Sequence, residues 1–73
     1  MTQFPPKVHN ALQDLVDAGG THNAFVAYYS SAQNINQLWA NGILKKDQKT
    51  QLFDQLAREI EQKTEKFKQK ASL

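Results

Sequence analysis

Cysteine is absent from this 73-residue sequence. That absence removes disulfides and thiolate metal sites together and leaves no mark of an oxidising compartment, so a cytoplasmic setting is expected. No apolar run approaches the roughly 18 residues that a membrane-spanning helix needs. The opening MTQFPPKVHN has neither the basic start nor the apolar stretch of a secretion signal. No glycine-rich phosphate loop and no GxSxG elbow is present. There is also no internal repeat, no low-complexity segment and no run with strand periodicity.

Groups that could carry catalysis are as scarce. The two histidines, His9 and His22, lie on different segments. Neither has a carboxylate or a second histidine three or four residues on, the spacing that would bring two ligands onto one helical face. The carboxylates Asp14, Asp17, Asp47, Asp54, Glu59, Glu61 and Glu65 fall on polar faces or beside basic residues, the pattern of a solvated helix surface. An enzyme needs convergent polar groups in a pocket. No catalytic, cofactor-binding or metal-ligating residue is expected here, and the chain reads as a non-enzyme.

What the sequence does contain is helical periodicity. Within Thr21–Asn41, Phe25, Tyr28, Ala32, Ile35 and Trp39 recur at spacings of three, four, three and four, the seam of an amphipathic helix. Before it, Val8, Ala11, Leu12, Leu15 and Val16 share one face of a helix expected over 6–18, opened by Pro5-Pro6 and closed by Gly19-Gly20. Phe4 is placed to fold back on its first turn. Thr21 suits the N-cap of a second helix over 21–41. Asn41-Gly42 ends it, and Ile43-Leu44 should fold back to make a tight, buried turn.

A third helix is expected over 46–70. Leu52, Phe53, Leu56, Ala57 and Ile60 form its apolar face, and Asp54–Arg58 and Glu59–Lys63 are i,i+4 pairs in the favourable order. Lys45 and Lys46 sit where the helix dipole prefers negative charge, a conflict that Asp47 and Gln48 partly relieve. After Ile60 the stripe turns polar at Lys63 and Thr64, and only Phe67 continues it. Unequal lengths imply that the third helix overhangs its neighbours from about Phe67 onward, at about 1.5 Å per residue. The expected fold is an all-α, antiparallel three-helix bundle with a long C-terminal helix, its core built from Leu12, Leu15, Phe25, Tyr28, Ile35, Trp39, Leu52, Leu56 and Ile60.

A chain this short buries only about 60% of its unfolded surface. Without disulfides or a metal, a partner chain is the remaining stabiliser, which makes a homodimer one expectation. Val26 and Tyr29 lie off the second helix's seam, and Phe67 stands alone among Lys63, Lys66 and Lys70. These six are the candidate partner-contact residues. The expected function is that of a small bacterial or phage interaction or regulatory protein working through a helix face, with another protein or itself as partner. Residues 43–73 hold eight basic and five acidic side chains. The alternative reading is therefore a nucleic-acid accessory protein using the lysine face of the third helix. A small immunity or antitoxin-like protein is a further alternative. Finally, Leu38-Trp39-Ala40-Asn41-Gly42-Ile43-Leu44 with Phe53, Leu56 and Ile60 resembles the short helical hairpins that serve as oligomerisation modules at bacterial protein termini. Lys45 and Lys46 stand where those hairpins carry a Ser/Thr cap and acidic residues. The likeness spans about a third of the chain and assigns no family.

Overall fold

Proline, glycine and hydroxyl residues set the ends of the helices. In a computed structural model that describes residues 4–71, with side chains through Gln69, α1 spans Pro6–Asp17, α2 His22–Ala40 and α3 Lys46–Ala71. The Pro5 carbonyl accepts from the Val8 and His9 N–H groups at 3.0 Å and opens α1. At the far end of α1, Gly19 takes φ +88°. Its N–H donates to the Val16 carbonyl, and the Gly20 N–H donates to that of Leu15, the paired bonds of a Schellman turn. Thr21 Oγ1 accepts from the Ala24 N–H at 3.1 Å and caps α2. A second Schellman turn closes α2: Gly42 has φ +76°, its N–H donates to the Trp39 carbonyl, and that of Ile43 donates to Leu38. Gln48 Oε1 accepts from the Lys45 N–H at 3.0 Å, so an amide takes the role that an acid would usually fill at the start of α3.

The helices run up, down and up as an all-α three-helix bundle 46 Å long and 20 by 16 Å across. α3 is the hub. It packs against both other helices, most broadly against α1, while α1 and α2 touch least. The core joins Val8, Ala11, Leu12 and Leu15 to Ala32 and Ile35 and to Phe53, Leu56, Ala57 and Ile60. Leu15, Ile60 and Val8 are the largest fully buried side chains. Thr64 continues this seam as a buried polar residue, its hydroxyl donating to the Ile60 carbonyl at 2.8 Å. Phe67 still packs on the core, so the covered part of α3 reaches one turn further than the polar turn of the sequence suggests.

Two contacts mark how the helices are staggered. Lys7 Nζ lies 3.4 Å from Asp54 Oδ1, and the Phe4 ring lies 6.4 Å from that of Phe53. The first turn of α1 therefore stands level with residues 53 and 54 of α3. With 12 residues, α1 is only about 18 Å long. The first two turns of α3, 46–52, precede it and have α2 alongside, with Pro5 near Lys46, Lys49 and Thr50. Lys49 marks that stretch, its Nζ 4.8 Å from the centre of the Trp39 ring. The α2–α3 hairpin thus projects past α1 as a two-helix tip.

That stagger corrects the expected core. Trp39 lies on the α2 seam but is 40% exposed, because no third helix reaches it. Phe25, Tyr28 and Leu52 are half buried against the core. Val16 is 48% exposed for a different reason: at about 100° per residue it sits about 90° from the centre of the α1 stripe. The turn after α2 is tight, yet Ile43 is 65% exposed and only Leu44 packs inward. Phe4 packs on the core. Its ring packs edge-on to Tyr29 at 5.2 Å and against Phe53, tying the N-terminal end to α2 and α3. Asp54 pairs with Lys7 across helices, and Lys63 lies over the Phe67 ring.

Candidate interaction surface

Helical geometry distributes the candidate contact residues unequally. Val26 lies about 120° from Ala32 at about 100° per residue, and it is 43% exposed. Tyr29 lies nearer the seam and is half buried, its ring stacked on Phe25 at 5.8 Å and in edge contact with Phe4. Phe67 is half buried, with Lys63 Nζ 5.8 Å from its ring centre. Lys66 is exposed. The Lys70 side chain lies outside the described residues. The structure thus brings Lys63 and Phe67 together and draws Tyr29 into a ring cluster, while Val26 and Lys66 face solvent.

Sequence periodicity missed the most prominent apolar surface, which is the hairpin tip. Trp39 and Ile43 are exposed there, around the Gly42 turn. Lys45 and Lys46 follow directly and are exposed as well, and Lys49 leans on the indole. Asp47 is the single acid of this segment. The signal that points to the tip is length: a 12-residue first helix cannot cover a 19-residue second one.

Among the described residues, shallow depressions flank α3. One lies between α1 and the C-terminal half of α3 and is lined by Asp14, Glu61, Thr64, Glu65 and Lys68. Another sits below the tip, where Pro5, Lys46, Lys49, Thr50, Phe53 and Asp54 meet. The hydroxyls lining them, Thr64 and Thr50, donate to the carbonyls of Ile60 and Lys46 one turn back. His9 and His22 are exposed on separate helices. Among the described residues, no group of three or more His, Cys, Asp or Glu is placed to hold a metal ion, and no buried side-chain polar atom is left without a partner. No helix among them is long and apolar enough to cross a membrane. The charged ends contrast: lysines crowd the hairpin tip, whereas carboxylates and lysines are mixed around the groove at the other end. Comparison with protein families, with curated proteins and with solved structures finds no match to this chain.

Proposed function

We propose that this chain is a small helical interaction or regulatory protein that works by contact, in the cytoplasm, and performs no catalysis. The observation that carries this reading is the exposure of Trp39 and Ile43, 40% and 65%, on a bundle whose other large apolar side chains are mostly packed inward. Large apolar groups left at a convex end contribute nothing to the core, and they suit a surface that is covered part of the time. The exposed Val26 on α2 and the Lys63–Phe67 pair with Lys66 on α3 are further contact candidates. Self-association is one form the contact could take. The nucleic-acid reading finds less support, because Asp14, Glu61 and Glu65 bring negative charge beside the lysine face of α3.

Site-specific photo-crosslinking in the native cell tests the proposal. A photoreactive residue at position 43 or 26 should trap a discrete partner or a second copy, and the same residue at the exposed position 59 should not. Equal, diffuse labelling at all three positions, together with a concentration-independent monomer mass by light scattering, would sink it.

A further inference from the structure

We infer that the hairpin tip is an anchor for an anionic lipid surface, seated by Trp39 and Ile43 and held by Lys45, Lys46 and Lys49. This rests on the reading of the tip as a contact surface and gives that surface its partner. The argument starts from area. Two partly exposed side chains fall far short of the roughly 800 Å² per partner that a standard protein interface buries. A second copy docked tip to tip would also bring two sets of three lysines face to face, with one Asp47 on each side to offset them. A lipid headgroup layer has neither problem. It accepts a small convex wedge, and its affinity is set by modest apolar insertion plus attraction between basic residues and negative headgroups.

The chemistry of the tip matches that demand. An indole has an apolar body and a polar N–H, the combination enriched at the boundary between acyl chains and water. Ile43, the more exposed of the two, is wholly apolar and stands at the outermost turn. Lysine stems lie along apolar surface while their ammonium groups stay in water. Lys49 keeps its charge beside the indole, its Nζ 4.8 Å from the Trp39 ring centre. The acidic groove lies at the opposite end of the bundle, beside the C-terminal half of α3. At that end Glu59, Glu61 and Glu65 offset Lys63, Lys66 and Lys68, whereas at the tip Asp47 alone faces three lysines, so a negative surface would favour the tip.

Trp39 is the single tryptophan of the chain, so its fluorescence reports on the proposed contact directly. The full chain is mixed at low salt with vesicles of phosphatidylcholine alone and with vesicles of equal parts phosphatidylcholine and phosphatidylglycerol. On the anionic vesicles the emission should shift to shorter wavelength and the protein should co-sediment, at least about tenfold more than on the neutral ones. Reversing two charges in Lys45→Glu/Lys46→Glu should weaken that partitioning by about tenfold or more, at about 1 kcal/mol per basic residue. Ile43→Ser should weaken it while leaving the circular dichroism unchanged. Equal binding to both vesicle types, no shift on anionic vesicles, or indifference to the charge reversal overturns the inference. A blue shift that instead grows with protein concentration in the absence of vesicles assigns the tip to a second copy and overturns it as well. Vesicle binding that fails while position 43 still crosslinks to a discrete protein removes the lipid partner and leaves the contact function standing.

Discussion

The two ends of α3 sit in opposite surroundings although both belong to the same amphipathic helix. Through Phe53–Phe67, α3 has α1 on one side and α2 on the other, and even a threonine is buried there. Through 46–52, ahead of α1, it has α2 alongside and Pro5 near its edge, and a tryptophan is left 40% exposed. Both stretches keep helical periodicity. The difference is one of coverage. A position on the seam is buried only where a third rod lies over it.

The sharpest way to break that contrast is to truncate one apolar side chain in each region. Leu15 is fully buried, so Leu15→Ala should cost about 2–5 kcal/mol in urea-induced unfolding monitored by circular dichroism. That is much of what a chain of this size has to lose. Ile43→Ser, at the open end, should move stability by no more than about 0.5 kcal/mol. Comparable losses from the two would mean that the tip is packed after all.

The two turns provide the next comparison. An alanine Cβ at Gly20 would lie 2.8 Å from Leu15 Cγ and from the Leu15 carbonyl oxygen. Gly20→Ala should therefore overpack the closed end and destabilise by about 1–3 kcal/mol. A Cβ at Gly42 would meet nothing within 4 Å, so Gly42→Ala should suffer only from its positive φ, about 1–2 kcal/mol. Gly42→Asn should recover part of that loss, and Gly20→Asn should recover none. Thermal melts of the four variants read out the pattern.

Thr64 sharpens the contrast from inside the closed region. Its hydroxyl donates only to the carbonyl one turn back, which also belongs to the helix's own hydrogen-bond ladder. Thr64→Val should then change stability by less than about 1 kcal/mol, with a gain the expected sign. A larger loss would show that the hydroxyl has a second role in the adjoining acidic groove. Smallest of all is the Lys7–Asp54 pair, whose side chains are 62% and 46% exposed. Lys7→Ala should alter stability by about 0–1 kcal/mol, an effect that fades as salt is added.

Much of this architecture is legible in residue spacing. The stripe Val8, Ala11, Leu12, Leu15, the glycine turns and the face Phe53, Leu56, Ala57, Ile60 all follow from a period of 3.6 and from local backbone chemistry. Val26 is exposed for the same angular reason, and so is Val16, whose displacement from its stripe could have been read in advance. Trp39 and Ile43 are another matter. Periodicity gives the angle of a side chain around its axis, and coverage along the axis depends on where a different helix begins and stops. That stagger is marked by Phe4, Lys7, Phe53 and Asp54, residues far apart in the chain, and no local pattern encodes it. Thr64 was obscured for a related reason, since a helix can satisfy a buried hydroxyl with its own carbonyl and spacing gives no sign of it.

The dominance of the α1–α3 interface also has a bearing on the order in which the protein takes shape. The helix made first during synthesis finds its principal docking surface in the helix made last, as the Lys7–Asp54 pairing across 47 positions illustrates. Twelve residues are at or below the length at which a lone helix persists in water. The N-terminal segment must therefore wait, largely unwound, until α3 has been made. The hairpin of the later two helices can zip up locally in the meantime, which makes it the natural first-formed piece of the native structure.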